Sequence, residues 1–457
     1  MRWSRWHVRV VAALAVTWLL DGLEGSLGGS LAGALKDPAT LGFSDSQLGL
    51  SSSFYLGGAI AGALVFGYLA DRYGRRRLFT WTLLLYVFST AATGFSRGIV
   101  SFTIFRMITG AGIGGEYAAI NSAVDEIVPA RMRGRVGLFI SGTFWLGIIL
   151  GSVVSTGFLS PAMFGLIVGW RVAFFTGVPI AVLVLWMRRF IPESPRWLIG
   201  QGRLREAESI VETIELKAAP TGENSNIAAR FIEVETRPGS LLRRMFHQFA
   251  GPYRQRALLC FGLMAAQAFF YNSVFFSLGL VLLKYYDVSA GRVGLYFIPI
   301  AIGNLFGPIL LGPLFDSLGR KRMVSGTYCM CAVLLFFSSL LFLGGHLTTV
   351  AQIAWWTATF FFASTAASSA YLTVSEVFPQ EMRASSIAFF YAFGTLAGGV
   401  FGPFVFGLLI GTGSRAVLFR GYAIAAIVMF VAGLTQAIWG VPAERRSLES
   451  LAPVHEH

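Results

Sequence analysis

Four ionisable side chains lie inside long apolar stretches of the sequence, namely Asp21, Glu24, Arg106 and Glu116. A charge at the centre of a lipid bilayer costs about 2.5–3.5 kcal/mol on insertion scales, so such groups face a cavity or one another. Asp21 and Glu24 are three residues apart, which places them on one face of a helix. Depths calculated from a rise of about 1.5 Å per residue allow Asp21 to pair with Arg106.

The charges of these four groups do not balance, because three acids accompany a single arginine. At least one acid is therefore expected to bind a proton at neutral pH. We predict proton coupling by Asp21, Glu24 and Arg106: protonation releases Arg106 to hold an anionic substrate, and deprotonation restores the pair. A static ion pair that aligns two helices is the alternative. Glu116 is expected either to contact a substrate or to belong to a packing or charge network.

The second half of the chain has no comparable charge within its apolar stretches, so it can offer only neutral contacts. For each candidate, a hydrogen bond between helices is the alternative to substrate binding. Some of the many phenylalanines in this half could line a pocket for a flat ring. The candidates for contact with a small-molecule substrate in this half are Gln267, Tyr271, Asn272, Asn304, Ser368 and Tyr371.

The apolar composition of the chain predicts that these ionisable and polar groups lie inside a membrane protein. Of 457 residues, 55% are hydrophobic and 13% are charged, and the mean hydropathy is +0.66. A membrane-spanning helix needs about 20 apolar residues, and helices satisfy their own backbone hydrogen bonds in lipid. We predict an all-α membrane protein with twelve transmembrane helices, at residues 8–35, 47–70, 78–96, 100–123, 136–160, 170–190, 257–283, 293–315, 323–344, 350–374, 385–411 and 416–440.

The net charge of +13 follows from topology. Lys and Arg are concentrated in alternate connections between the predicted helices, and cytoplasmic segments carry such an excess. This places both termini in the cytoplasm. No nucleic-acid motif accompanies the basic residues, so the bilayer and a small molecule are the expected partners.

Two sequence patterns occur twice and predict two homologous halves. The pattern Gly-x-x-x-Asp-x-x-Gly-basic-x-basic occurs at residues 67–77 and again at 312–322, and Glu-x-x-Pro-x-x-Met-Arg occurs at 126–133 and 376–383. If the charges of these patterns only set the orientation of the helices in the membrane, the cations would be explained but the acids would not. We assign the residues of these repeated patterns to a cytoplasmic gate, formed by Gly67, Asp71, Gly74, Arg75, Arg77, Glu126, Arg133, Asp316, Gly319, Arg320, Arg322, Glu376 and Arg383.

The repeats divide the chain into pseudo-symmetric six-helix bundles at residues 1–190 and 257–440. Residues 191–256 are the only long polar stretch and are expected to form a cytoplasmic loop with amphipathic helices, one of them near residue 203. Residues 441–457 form a cytoplasmic tail. A site between two such bundles lies near the middle of the bilayer.

These patterns resemble the major facilitator superfamily over essentially the whole chain. Arg-x-x-x-Gly-x-Gly-x-Gly-Gly-Glu at 106–116 and Pro-Glu-Ser-Pro-Arg at 192–196 are similar to its sugar-porter and metabolite:proton symporter group. The resemblance implies alternating access with the proton site at Glu24, whereas depth favours Asp21. It also implies that Glu126 with Arg133, and Glu376 with Arg383, join a gate network that holds the outward-open state.

The resemblance also bears on the substrate. Sugar porters usually carry more hydrogen-bonding residues in helix 7 than Gln267 and Asn272, and each unpaired buried hydroxyl costs about 1–3 kcal/mol. The motifs at 142–147 and 371–379 are closer to carriers of aromatic and other organic acids. We predict a proton symporter of a small organic acid. A sugar:proton symporter or a proton-coupled exporter is the alternative, and a uniporter or a transport-inactive sensor is less favoured.

Motifs for enzymatic chemistry are absent from the sequence. It has no phosphate-binding Gly-x-x-x-x-Gly-Lys-Ser/Thr loop, no His-Glu-x-x-His and only five histidines. We therefore predict a protein that is not an enzyme and needs no metal or cofactor beyond the proton as coupling ion. Short outer loops without glycosylation sites fit a bacterial inner membrane, and we expect a monomer.

Overall fold

The computed structural model describes residues 4–127, 130–188, 191–218, 247–378 and 380–441. Within these ranges, no side-chain position is described for residues 71, 75, 117–127, 130–135, 138, 196, 200, 214–218, 316 and 380–385. All regular structure in the described part of the chain is helical, without a β-strand. The predicted all-α class is thus confirmed for these residues.

The first part of the chain forms long helices, followed by two short ones that belong to the predicted central loop. Most of the long helices coincide with stretches predicted to span the membrane. Their bounds are α1 Arg5–Ser30, α2 Ala32–Lys36, α3 Asp45–Tyr73, α4 Arg75–Thr93, α5 Ile99–Ile127, α6 Ala130–Leu159, α7 Gly165–Phe175, α8 Gly177–Met187, α9 Pro195–Gly200 and α10 Leu204–Ala218.

The second part repeats this order of long helices. A 3-10 helix at Ala290–Tyr296 precedes its second long helix. The bounds are α11 Arg254–Tyr285, α12 Phe297–Leu311, α13 Leu314–Ser317, α14 Arg320–Leu343, α15 Thr349–Val377, α16 Gln380–Gly398, α17 Phe401–Gly411 and α18 Arg415–Trp439.

Nine segments of the described chain are long and apolar enough to cross a membrane by length and composition. The three further predicted spans, which correspond to α4, α5 and α15, are not among these nine. Helix α15 contains many Ser and Thr residues, and their hydroxyls bond to the backbone of their own helix, as Ser368 does with the Ser364 carbonyl oxygen at 2.9 Å.

Two predicted spans are interrupted where proline removes a backbone donor. The predicted helix at 170–190 divides into α7 and α8 just before Pro179, and the predicted helix at 385–411 divides into α16 and α17 just before Pro403. Proline cannot donate the hydrogen bond to the carbonyl four residues earlier, so the helix is distorted at that point.

Glycines with positive φ form the sharp turns of the repeated pattern. Gly74 separates α3 from α4 at a φ of 92°, and Gly319 precedes α14 at a φ of 96°. Side chains other than glycine rarely adopt this conformation. The two copies of the pattern therefore form the same turn, and we call the end of the bundle that holds both turns the basic end.

Equivalent tyrosines tie equivalent helices together in the two parts of the chain. The Tyr86 hydroxyl on α4 donates to the Leu20 carbonyl oxygen on α1 at 3.3 Å. The Tyr328 hydroxyl on α14 donates to the Leu263 carbonyl oxygen on α11 at 2.9 Å. Both rings are buried. Helix pairs repeat as well, since α1 packs on α6 as α11 packs on α16.

The two parts of the chain, which we call the N-terminal half (α1–α8) and the C-terminal half (α11–α18), meet closely at the end opposite to the basic end. Helix α3 packs on α17, where the Phe404 amide donates to Ser53 Oγ at 3.1 Å. Asp45 forms ion pairs with Lys36 from its own half and, at 3.6 Å, with Lys284 from the other half. The structure is therefore closed between the halves at this end.

Candidate functional site

Arg106 on α5 forms a buried ion pair with Glu24 on α1. Its guanidinium Nη1 donates to Glu24 Oε1, and both side chains are almost fully buried. The guanidinium also lies over the Tyr55 ring of α3, with Cζ 4.4 Å from the ring centroid. A cation held against an aromatic face and a carboxylate is strongly fixed in place. Three helices thus contribute to this group.

The partner of Arg106 is Glu24 and not Asp21, which the depth calculation had made possible. Asp21 lies one helical turn away on the same face of α1, and it is 2% exposed. Its Oδ1 atom has no hydrogen-bond partner, nor does Glu24 Oε2. The structure thus brings Glu24 and Arg106 together. A difference of one helical turn is smaller than the error of a depth calculation from helix ends.

Glu116, a predicted candidate for substrate contact, lies inside the N-terminal half with no exposed surface. Neither of its carboxylate oxygens has a hydrogen-bond partner. Gly112, one turn earlier on α5, packs against Tyr86 of α4. Glu116 is therefore directed among the helices of its own half and does not reach the space between the halves in this conformation.

Arg188, just beyond the end of α8, is a further buried charge that the sequence analysis did not single out. It is 6% exposed, its Nη1 and Nη2 atoms have no hydrogen-bond partner, and its guanidinium lies 4.6 Å from the Phe79 ring centroid. The predicted span at 170–190 already contained Arg188, so its position within a span was the signal.

In the C-terminal half, the structure joins two of the neutral candidates. The Tyr271 hydroxyl on α11 donates to Asn304 Oδ1 on α12 at 2.6 Å, and Asn304 Nδ2 donates to the Ile300 carbonyl oxygen. The Ser364 hydroxyl on α15 donates to the Asn304 carbonyl oxygen at 2.8 Å. Asn304 is fully buried, so these bonds hold three helices together.

The other neutral candidates lie on α11 and α15. Asn272 Nδ2 donates to the Ala268 carbonyl oxygen of its own helix at 2.8 Å, and Ser368 likewise bonds within α15. Gln267 is buried at 8% exposure. Tyr371 is half-buried, with its ring 6.2 Å from that of Tyr391 on α16.

Aromatic rings from both halves meet at the interface beside these groups. Trp145 on α6 lies 6.4 Å from the Tyr271 ring and 6.3 Å from the Phe275 ring. Tyr55 on α3, which also covers Arg106, lies 6.1 Å from the Phe276 ring. The sequence analysis did not single out Trp145 or Tyr55, because an aromatic residue in an apolar helix gives no sign of which neighbours it meets.

The predicted gate residues lie at the basic end as far as they are described. Gly67 is half-buried, Arg77 and Arg322 are exposed, and Arg320 pairs with Glu376 at 2.5 Å. That pair joins the two repeated patterns within the C-terminal half. The remaining predicted gate side chains lie outside the described positions, namely Asp71, Arg75, Glu126, Arg133, Asp316 and Arg383.

Glu193, from the Pro-Glu-Ser-Pro-Arg motif, contacts the first copy of the repeated pattern. Its Oε1 atom accepts a hydrogen bond from the Arg76 amide at 3.1 Å. A Cβ atom added to Gly74 would lie 2.7 Å from Glu193 Oε2. The second glycine of the pattern is thus required by both its φ angle and its neighbour.

This architecture is shared with solved membrane transporters. The structure matches the xylose transporter XylE from E. coli in an inward-open conformation with a TM-score of 0.74 and 21% identity, over 97% of this chain and 98% of that chain. It matches the D-xylose-proton symporter with a TM-score of 0.72 and 20% identity, over 96% and 99%. At this level of identity the similarity shows the fold, which is that of the major facilitator superfamily.

The sequence matches the family described as "Sugar (and other) transporter" over residues 20–443, and the chain therefore belongs to this family. The predicted membership is confirmed, and the family is one of transporters and not of enzymes.

Relatives in the family include several bacterial carriers. The niacin transporter NiaP of Acinetobacter baylyi is 27% identical over 405 residues, which are 88% of this chain and 87% of the relative. The 4-hydroxybenzoate transporter PcaK of the same organism is 26% identical over 451 residues, 94% and 91% of the two chains. The cis,cis-muconate transport protein of that organism is 26% identical over 447 residues, 95% and 94%.

Proposed function

We propose that this protein carries a small organic acid across the membrane by alternating access, together with a proton. The observation that supports this most directly is the group of Glu24, Arg106 and Asp21: two buried acids, one arginine, and two acid oxygens without a hydrogen-bond partner. A buried charge without a partner costs several kcal/mol. Such a group changes its preferred arrangement when a proton binds or leaves.

The proposed coupling step uses the Glu24–Arg106 pair as a switch. When a proton binds Glu24, the carboxyl group becomes neutral and no longer holds the Arg106 guanidinium by charge. Arg106 is then available to bind the carboxylate of a substrate. Loss of the proton restores the pair and displaces the substrate. Because the substrate anion and the proton occupy the site together, they cross in the same direction.

The aromatic interface supports a flat substrate. Trp145 and Tyr271 present rings from the two halves, and Tyr55 lies between Arg106 and Phe276. Aromatic pairs add about 0.5–1.5 kcal/mol beyond the area that they bury. Relatives named for niacin, 4-hydroxybenzoate and muconate support the same class, since each of these compounds is an unsaturated or aromatic carboxylic acid.

A sugar remains the competing substrate, because the fold is also that of a xylose:proton symporter and an arabinose-proton symporter is among the relatives. In the described structure, however, Asn304 and Ser368 already donate hydrogen bonds to carbonyl oxygens of their own helices. A sugar would need these groups to change partners.

We further propose twelve spans in two bundles, with residues 191–256 as the connecting loop and the basic end, including both termini, in the cytoplasm. Short α9 and amphipathic α10 lie in this loop. The exposed cations at the basic end, among them Arg76 and Arg77, agree with the positive-inside rule. We also propose that the protein is a monomer and that its membrane is a bacterial inner membrane.

Proteoliposomes with a pH-sensitive dye inside test the function. We expect one of nicotinate, 4-hydroxybenzoate and cis,cis-muconate, and neither xylose nor arabinose, to acidify the lumen on addition. Counterflow of labelled substrate provides the control for binding and exchange. If a sugar is taken up and the lumen becomes acidic, the substrate is a sugar and not an organic acid. If a substrate equilibrates across the membrane without proton movement, the proposed symport is contradicted.

A further inference from the structure

Two buried charges of the N-terminal half take no part in the coupling step proposed above. Glu116 has no exposed surface and no hydrogen-bond partner on either carboxylate oxygen. Arg188 is 6% exposed, and neither Nη atom has a partner. Buried polar groups without partners are rare in proteins, and each one calls for a water, an ion or a functional reason.

These two groups continue the polar cluster of α1 towards the basic end. Asp21 and Arg188, both within the described part of the chain, lie within electrostatic range of Glu116. Glu116 lies ten residues after Arg106 on α5, about 15 Å closer to the basic end at about 1.5 Å per residue. Arg188 in turn is within electrostatic range of Arg76 and Glu193, which lie at that end.

Tyrosines of two other helices lie close to this path. Tyr86 on α4 lies within electrostatic range of Glu24, Asp21 and Glu116, and its hydroxyl is bonded to the Leu20 carbonyl oxygen. Tyr55 on α3 is close to Tyr86 and covers Arg106. The charged groups therefore follow one another inside the N-terminal half, from Asp21 through Glu116 to Arg188.

Water can bridge such a series. A buried water needs two to four polar partners, and Asp21 Oδ1, both Glu116 oxygens and the Arg188 Nη atoms are all available. None of these atoms has a hydrogen-bond partner, so Asp21 Oδ1, the Glu116 oxygens and the Arg188 Nη atoms are not bonded to one another directly. Bridging waters would give each of these atoms a hydrogen-bond partner and would connect the carboxyl group of Asp21 to that of Glu116.

We propose that Glu116 is a proton-binding site on a hydrated path that leads from Asp21 to Arg188 and the basic end, separate from the path of the substrate. In the transfer, the O–H bond of the Asp21 carboxyl group breaks as a bridging water accepts the proton, and that water gives another proton to the Glu116 carboxylate. One positive charge moves and no other bond changes. Arg188 stabilises the carboxylate that remains when Glu116 releases the proton.

This inference rests on the proposed coupling at Glu24 and Asp21, and it gives Glu116 a role other than substrate contact. It predicts that Glu116 matters for net proton movement and not for exchange of substrate for substrate, because exchange returns the protein to its starting state without net proton release. A purely structural Glu116 would affect both processes equally.

The test compares the full-length wild type with Glu116→Gln and Arg188→Gln in proteoliposomes, by net proton-coupled uptake and by counterflow. Glu206→Gln, which removes an exposed acid of α10, is the matched control. We expect Glu116→Gln and Arg188→Gln to slow net uptake by about tenfold or more and to leave counterflow near the wild-type rate. The control should change neither rate.

A second measurement needs no substrate and no altered residue. Dicyclohexylcarbodiimide reacts with protonated carboxyl groups in apolar surroundings, so mass spectrometry of the labelled wild type should find Glu116 modified, and less so as the pH is raised. Unmodified Glu116 at every pH overturns the proposal, as does net uptake by Glu116→Gln that is unchanged or that falls in parallel with counterflow. Labelled Glu116 in a protein that moves no protons with any substrate would contradict the proposed symport alone.

Discussion

The two halves of the molecule share a helix order but differ in what they bury. The N-terminal half encloses charged groups, among which Arg106 pairs with Glu24 and Glu116 has no partner. The described interior of the C-terminal half is built on neutral groups such as Asn304 and Tyr271. The shared scaffold extends to single hydrogen bonds, since Tyr86 and Tyr328 make equivalent contacts.

This difference indicates a division of labour between duplicated halves. A charge that changes on protonation alters helix contacts by several kcal/mol when it is buried, whereas a neutral hydrogen bond contributes about 0.5–1.5 kcal/mol. Energy coupling would therefore reside in the N-terminal half. The C-terminal half would supply shape and weak contacts for the substrate.

Arg106→Gln should have the largest effect, because it leaves Glu24 buried without its cation. We expect transport to be lost and the protein to be destabilised by about 3–5 kcal/mol, as for other broken buried pairs. Uptake and thermal unfolding in detergent measure the two effects. Arg256→Gln is the control in the other half, where the half-buried guanidinium donates to the Val377 carbonyl oxygen. Equal effects of both substitutions would contradict the division.

Glu24→Gln should abolish proton movement while substrate exchange continues. In the wild type, uptake should become faster as the outer pH falls, because a protonated Glu24 releases Arg106. The variant resembles the protonated state permanently, so its uptake should no longer depend on pH. Dye-monitored acidification and counterflow at several pH values test this. A variant that still acidifies the lumen would move the proton site to Asp21, for which Asp21→Asn is the matching test.

Trp145→Ala should weaken substrate binding and leave coupling intact. Loss of an aromatic contact of about 0.5–1.5 kcal/mol corresponds to a rise in KM of about two- to twelvefold. Trp145→Phe should restore most of the affinity, and Trp439→Ala, at the exposed end of α18, is the control. The number of protons moved per substrate should stay the same in all three. A changed ratio would show that the interface takes part in coupling.

We expect the smallest difference between the halves for two matched substitutions, Tyr86→Phe and Tyr328→Phe. Each substitution removes one hydroxyl that donates to a backbone carbonyl, so each should destabilise the protein by about 1 kcal/mol. Only Tyr86→Phe should also slow net proton-coupled uptake, because Tyr86, unlike Tyr328, lies within electrostatic range of Glu24 and Asp21. Unfolding and uptake measured side by side decide this. A similar change in uptake for Tyr328→Phe would contradict the proposal that energy coupling resides in the N-terminal half.

Much of the architecture could be predicted from the pattern of residues. Long apolar stretches must be helical in lipid, and the repeated Gly-Asp-Gly pattern predicts equivalent turns, which Gly74 and Gly319 form with φ angles above 90°. The interruptions before Pro179 and Pro403 were overlooked, because hydropathy does not register a missing backbone donor. The family was predicted correctly, since its motifs are local in sequence.

The sequence by itself determined that Asp21, Glu24, Arg106 and Glu116 lie within apolar helices and therefore face one another or a cavity. Only the tertiary structure decided their partners. Pairing depends on helix rotation and depth to within a few ångströms, which places Glu24 on Arg106 and leaves Glu116 and Arg188 apart. The meeting of Trp145 with Tyr271 across the interface is likewise a result of packing between distant segments, for which no local pattern exists.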